Sequence, residues 1–339
     1  MAWTKDDQRE WLDLVQEEIL NPELPIVDPH HHMWKAGRGL PEYLLEDLWA
    51  DTQSGHNVIQ TVFMECGAEY HEAGPEHLKP IGETEFVAAA SAASRGTGKA
   101  EIAGIIAHTD LTQDEAILRE VLAAHEEASN GLFRGIRHGG AHDPDKVMRW
   151  GDATPHPDLY AQKGFRRGVR LLGTLGHSYD TWHYHLQNAP YIELAKAAPD
   201  TQMVLDHFGT PVFVGPYADQ REAIIAQWKK EIAAIAECPN VVAKIGGLAM
   251  PVNGFGWNGR ETPATSDELV EAQRDFYLYA IDCFGPDRCM FESNFPVDKM
   301  SLSYHVYWNA MKKIAAGFSD AERTAMFSGT ASRIYRLAG

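Results

Sequence analysis

Leu24-Pro25-Ile26-Val27-Asp28-Pro29-His30-His31-His32 joins a short apolar run to three successive histidines. On an extended strand alternate side chains take opposite faces, so His30 and His32 project together while His31 points away. Two imidazoles on one face at a strand end form a candidate pair of metal ligands. The competing reading is a polar turn in which histidines merely cluster. The later sequence favours the ligand reading, because the same pattern recurs. Apolar runs at Val58–Glu65, Ile102–His108, Phe133–His138, Tyr179–His185, Met203–His207, Val241–Ile245 and Cys289–Asn294 each close on polar groups. Those groups are Glu65, His108, Arg137 with His138, His185, His207, Lys244, and Glu292 with Asn294.

Helical stretches lie between several of these runs, at Thr112–Ala128, Pro190–Ala197, Gln220–Ala236 and Ser266–Cys283. Strands that alternate with helices predict a parallel sheet with right-handed crossovers. Eight such strands predict a closed (β/α)8 TIM barrel, whose carboxyl strand ends converge on one catalytic face. No GxGxxG or GxxxxGK[ST] motif opens a helix, so the phosphate-binding signatures of an open doubly wound sheet are missing. Residues 1–22 carry Trp11, Leu14, Val15 and Ile19 near helical spacing and predict an N-terminal helical extension. Residues 23–339 then form a single barrel domain. The longest loops fall at Met33–Leu48, Gly139–Asp158 and Ala249–Ser266. The last, placed at the mouth after the seventh strand, could act as a lid with Phe255 and Trp257 over substrate, or be a packed surface loop.

With 339 residues, 44% of them hydrophobic, the chain can bury a large core. Its formal charge of −18 argues against nucleic acid and anionic membrane surfaces as partners. The N-terminus is too charged for a secretory signal, and no apolar run reaches the ~18 residues of a membrane span. Cys66, Cys238, Cys283 and Cys289 show no CxxC spacing and read as reduced thiols. A cytoplasmic enzyme acting on a small molecule is expected; homo-oligomerisation is left open.

The ordered motifs VDPHHHMW, FRGIRH, YDTWHYHLQ, VLDHFG, VAKIGGL and MFESNFPVDK resemble the strand ends of the amidohydrolase superfamily. More narrowly they resemble its amidohydrolase-related, lactonase-like branch, from about Ile26 to Leu337. The resemblance implies a metallo-dependent-hydrolase barrel that opens a lactone or a related cyclic ester or amide. It also implies a divalent metal such as zinc or manganese, although members of the branch vary in needing one. On the matched positions, His30 and His32 are the first-strand pair and His207 is the sixth-strand histidine. A fifth-strand ligand would come from His183 or His185, of which His185 ends the run. Arg137 matches an arginine that can face a substrate carboxylate, since its planar fork suits bidentate anion binding; the competing reading is an ion pair that closes the barrel end. Lys244, His138, His108 and Trp257 are the expected substrate contacts; Arg137 and Lys244 favour an anionic substrate, with neutral lactones left open.

One position departs from the pattern. The superfamily's eighth strand ends Ser-Asp-(Trp/Phe)-Pro, and its aspartate acts as general base. Here the sequence reads Ser293-Asn294-Phe295-Pro296. An amide cannot take a proton from water at neutral pH. Glu292, two residues earlier and therefore on the same strand face, is a candidate replacement about 6–7 Å deeper. It could equally be an interior carboxylate paired with Lys244 or Arg137. Asp298 is a further candidate, otherwise a helix cap or surface charge. Two other functions stay open: a metal-assisted decarboxylase of an aromatic or unsaturated acid, and a ligand-binding barrel without catalysis.

Overall fold

The computed structural model describes residues 4–37, 40–145 and 155–338. Parts of the expected loops Met33–Leu48 and Gly139–Asp158 therefore lie outside the described residues. Eight strands run β1 (Ile26–His31), β2 (Val58–Met64), β3 (Glu101–Ala107), β4 (Phe133–Arg137), β5 (Ser178–Thr181), β6 (Met203–Leu205), β7 (Val241–Gly246) and β8 (Cys289–Glu292). They pair in sequence order, every neighbour parallel. The ring closes just past β8, where His31 bridges Phe295 and the backbone N–H of His32 donates to the Phe295 carbonyl at 2.8 Å.

Crossover helices follow the strands in turn: α2 (Leu45–Thr52), α3 (Ile81–Ser94), α4 (Glu115–Ala128), α5 (Lys163–Leu175), α6 (Asn188–Ala197), α7 (Arg221–Ala236), α8 (Ser266–Phe284) and α9 (Tyr304–Ile314). These helices cover the outer face of the sheet, so both strand faces are buried and the strands read as apolar runs. Among the described residues, no helix is long and apolar enough to cross a membrane. α4 starts three residues later than its periodicity predicts, because the Asp110 carboxylate captures the backbone N–H and hydroxyl of Thr112 in a local turn.

Two cores result. The outer one lies between strands and helices. The inner one fills the barrel with Val27, Val62, Met64, Ile106, Val204, Val242 and Met290, and a short C-terminal helix, α10 (Thr330–Ile334), with the following Tyr335 closes it from below through Ala331, Ile334 and Tyr335. On three strands the residue two places beyond an inner apolar one is charged: Val204 then Asp206, Val242 then Lys244, Met290 then Glu292. The period of two carries each inward face from an apolar floor to a polar layer beneath the mouth.

The N-terminal expectation needs correction. Only α1 (Lys5–Leu12) is helical, and the helix stops at Asp13. Leu14, assigned to the apolar stripe, is 61% exposed. Tertiary partners take the backbone that a longer helix would need. Asn309 accepts from the N–H of Leu20 and donates to the Glu18 carbonyl and the Glu17 carboxylate, while Lys312 donates to the carbonyls of Leu20 and Asn21. Residues 13–25 form a strap across α8 and α9. Asn309→Ala removes three part-buried hydrogen bonds to the strap and should cost about 1–3 kcal/mol in urea unfolding; an unchanged midpoint would show the strap to be energetically idle.

Candidate active site

The carboxyl strand ends surround a cavity of about 980 Å³, at the upper end of small-molecule sites. His32, Arg137, His138, His108, His207 and Asn294 line it, as do Glu65, Trp34, Tyr70, Trp182 and Tyr184. Beneath them, fully buried, lie His30, Glu292, Lys244, Asp180 and Asp206.

Glu292 joins the two layers. Its Oε1 accepts from both the backbone N–H (3.1 Å) and Nδ1 (2.7 Å) of His207. Its Oε2 stands 2.7 Å from Nδ1 of His30. His207 has a left-handed backbone, φ +53°, which costs a non-glycine residue energy unless its surroundings enforce it. The two hydrogen bonds to Glu292 supply that enforcement and turn the far ring nitrogen away from the carboxylate. Gly247, at φ +69°, has to be glycine, since a Cβ there would stand 2.2 Å from His207 Nδ1.

His32 Nδ1 lies 2.8 Å from the Met64 carbonyl, which can only accept, so Nδ1 carries the proton and Nε2 a lone pair. That lone pair faces His30 Nε2 at 3.2 Å. Either a proton or a cation must lie between them. Two nitrogens about 2.0–2.1 Å from a tetrahedral zinc ion stand about 3.3 Å apart, so the spacing fits a divalent ion. His30, His207 and Glu292 also offer ligand atoms within 4.8 Å of one another. The donor set therefore fits a metal held by His30 and His32, with His207 within reach.

The electrostatics follow from burial. Desolvation drives His30 and His32 well below the usual histidine range and His207 down to about 3, and the nearby cations Lys244 and Arg137 add to the effect, so all three rings are neutral at pH 7. Burial pushes Glu292 up to about 8, although Lys244 pulls it back. Asp206 is likewise raised by burial, to about 6, against the pull of Lys244.

Several expectations are corrected by position. Lys244 touches no substrate space. It is buried beneath the mouth, 3.0 Å from Asp180 and 3.2 Å from Asp206, where its ammonium offsets the charge of those carboxylates inside the barrel. His185 is not beside His30, because β5 ends at Thr181, four residues before it; its Nδ1 accepts from the Val212 N–H instead. His183 is also committed elsewhere, between Tyr160 and Asn188. Trp257 is buried outside the cavity lining and stacks on Phe255, with rings 5.0 Å apart, so the loop is packed rather than poised over substrate. Asn294 does reach the cavity; its Nδ2 donates to Asp298 at 2.8 Å, and Asp298 is buried rather than on the surface.

Asp206 and Asp180 were not singled out from the sequence. Asp206 precedes His207 in Leu205-Asp206-His207, and its place two residues beyond inward-facing Val204 was the available signal. A metal prediction follows from the ring geometry. Zinc titrated against a chromophoric chelator should saturate near one ion per chain, and His32→Phe should remove most of that binding; equal uptake by the variant would place the ion elsewhere.

A family model described as amidohydrolase matches residues 27–337. An uncharacterised protein of Sinorhizobium fredii is 31% identical over 335 residues, covering 93% of this chain and 99% of that one. L-fucono-1,5-lactonase of Burkholderia multivorans is 27% identical over 325 residues, covering 92% and 96%. A solved amidohydrolase from Burkholderia multivorans with bound zinc superposes with a TM-score of 0.71 at 24% identity, covering 92% of this chain and 99% of that structure.

Proposed function

The chain belongs to the amidohydrolase family, and from that premise we propose that this hydrolase opens the ring of a small lactone by attack of water. The observation that carries the reading is the Glu292–His207 pair at the floor of the cavity. A neutral histidine held from behind by Glu292 is the arrangement that accepts a proton from an attacking water, and the positive charge that develops on the ring draws Glu292 toward its ionised form. It supplies the base that Asn294 cannot be. The relative named as a sugar lactonase supports the same reaction class.

The steps use this chain's own groups. Water approaches the lactone carbonyl; its oxygen bonds to carbon as one proton passes to the ring nitrogen of His207 that faces the cavity. Glu292 holds the other ring nitrogen and stabilises the positive charge that develops. The carbonyl oxygen gains negative charge near the Arg137 guanidinium, a fixed cation at the cavity wall. A divalent ion held by His30 and His32, when bound, adds Lewis-acid polarisation there. The ring C–O bond then breaks, and the alkoxide takes the proton back from His207. One water is consumed, a hydroxy acid forms, and its ionisation releases one proton to solvent. Decarboxylation fits less well, because Arg137 is already engaged by carboxylates of the protein itself.

A pH-indicator panel tests the reading. Acid release from γ- and δ-lactones of sugar acids is expected, with acyclic esters slower. Carbon dioxide release from aromatic acids, with every lactone inert, would overturn it.

A further inference from the structure

Arg137 is the obvious receptor for a substrate carboxylate, yet its donors are already engaged. Nε donates to Glu65 Oε1 at 2.7 Å, and Nη2 donates to the Glu65 backbone carbonyl. That edge is the one a substrate carboxylate would need for a two-point grip. Nη1 turns inward, 3.4 Å from Asp206 Oδ2 and 3.4 Å from His30 Nε2. The guanidinium thus faces two carboxylates before any ligand arrives. What remains is the second N–H of Nη2, enough for one hydrogen bond to the reacting oxygen but not for a two-point grip on a carboxylate.

The rest of the mouth points the same way. The described lining residues include three acidic groups, Glu65, Asp110 and Asp143, against the single arginine or lysine, Arg137. His138 is neutral, pushed down to about 4 by burial and by the neighbouring His108. The chain's formal charge of −18 adds a long-range field that repels anions. Against this, carboxylate oxygens are good acceptors for hydroxyl groups, and Trp34, Trp182 and Tyr184 offer flat apolar faces for a ring.

We propose that Glu65 is a specificity-determining residue: by occupying the Arg137 fork it excludes carboxylated substrates and commits the cavity to neutral, polyhydroxylated lactones. The proposal rests on the lactonase reading for the reaction, but the selection itself is a matter of binding. It reverses the anionic substrate that Arg137 and Lys244 suggest from sequence.

The test measures binding and turnover separately. Calorimetric titration of glutarate into the wild-type protein should give no measurable heat of binding up to millimolar ligand. Glu65→Gln keeps the shape, removes the charge and should tighten glutarate binding by at least about tenfold, which is about 1.4 kcal/mol. Adding Arg137→Met to that variant should abolish the gain. Wild-type protein binding glutarate as tightly as Glu65→Gln would overturn the proposal. So would wild-type turnover of a carboxylated lactone at or above that of a neutral sugar lactone, a result that needs no variant to fold. If no lactone is hydrolysed while the glutarate result holds, the reaction assignment fails and the selectivity stands.

Discussion

Glu292→Gln should lower kcat by about 10²- to 10⁴-fold, the usual range for losing a general base, while changing KM little. The amide keeps the size of the carboxylate, so packing around β8 survives. It cannot stabilise positive charge on His207 as a carboxylate does, nor accept a proton. The amide oxygen can still receive the main-chain and ring N–H groups of His207, so the ring keeps its direction and the loss is one of charge. The effect belongs in kcat, since the buried carboxylate never meets the ligand. Steady-state kinetics on a neutral lactone, with circular dichroism to confirm folding, measures it. A kcat within threefold of wild type would remove Glu292 from the chemistry and return it to the role of an interior carboxylate.

The second large effect is on stability. Lys244→Met should destabilise the protein by about 3–5 kcal/mol, the cost of breaking a buried ion pair from one side. The methionine fits the space, but Asp180 and Asp206 are left facing each other without their shared cation. Here the sign is set by what remains: the pair itself contributes little beyond its desolvation, whereas its fragments are costly. Lys244→Met combined with Asp206→Asn should recover part of the loss, because the two residues touch and their effects cannot add independently. Urea denaturation of the three variants decides it. A single-variant loss below about 1 kcal/mol would mean that water or protons already neutralise the cluster.

The sequence made the barrel legible because parallel strands buried on both faces leave apolar runs, and because each run closed on a polar group. His30 with His32 could be read because a strand repeats every two residues; Asn294 lies past the end of β8 with a left-handed backbone at φ +56°, so that alternation does not place it above Glu292. Height inside the barrel could not be read. It depends on the stagger between strands, which is why Lys244 was placed at the mouth and lies below it. His185 failed for a different reason: the chain leaves β5 at Thr181 and the two-residue alternation stops. The engagement of Arg137 was hidden too, since Glu65 lies 72 positions away and only the closed ring brings the ends of β2 and β4 together. The strap after α1 was missed because its backbone partners, Asn309 and Lys312, come almost 300 positions later.

Tyr335 closes the floor of the barrel, and its hydroxyl reaches the Asp180 carboxylate that holds Lys244. Synthesis proceeds from the N-terminus, so every strand is made before this stopper exists. Until residue 335 has emerged from the ribosome and folded back, solvent can enter from below and hydrate the ammonium and its carboxylates. The fields that steer His207 and Arg137 would then be damped. The charged layer beneath the mouth is therefore sealed from below only when the last residues of the barrel dock.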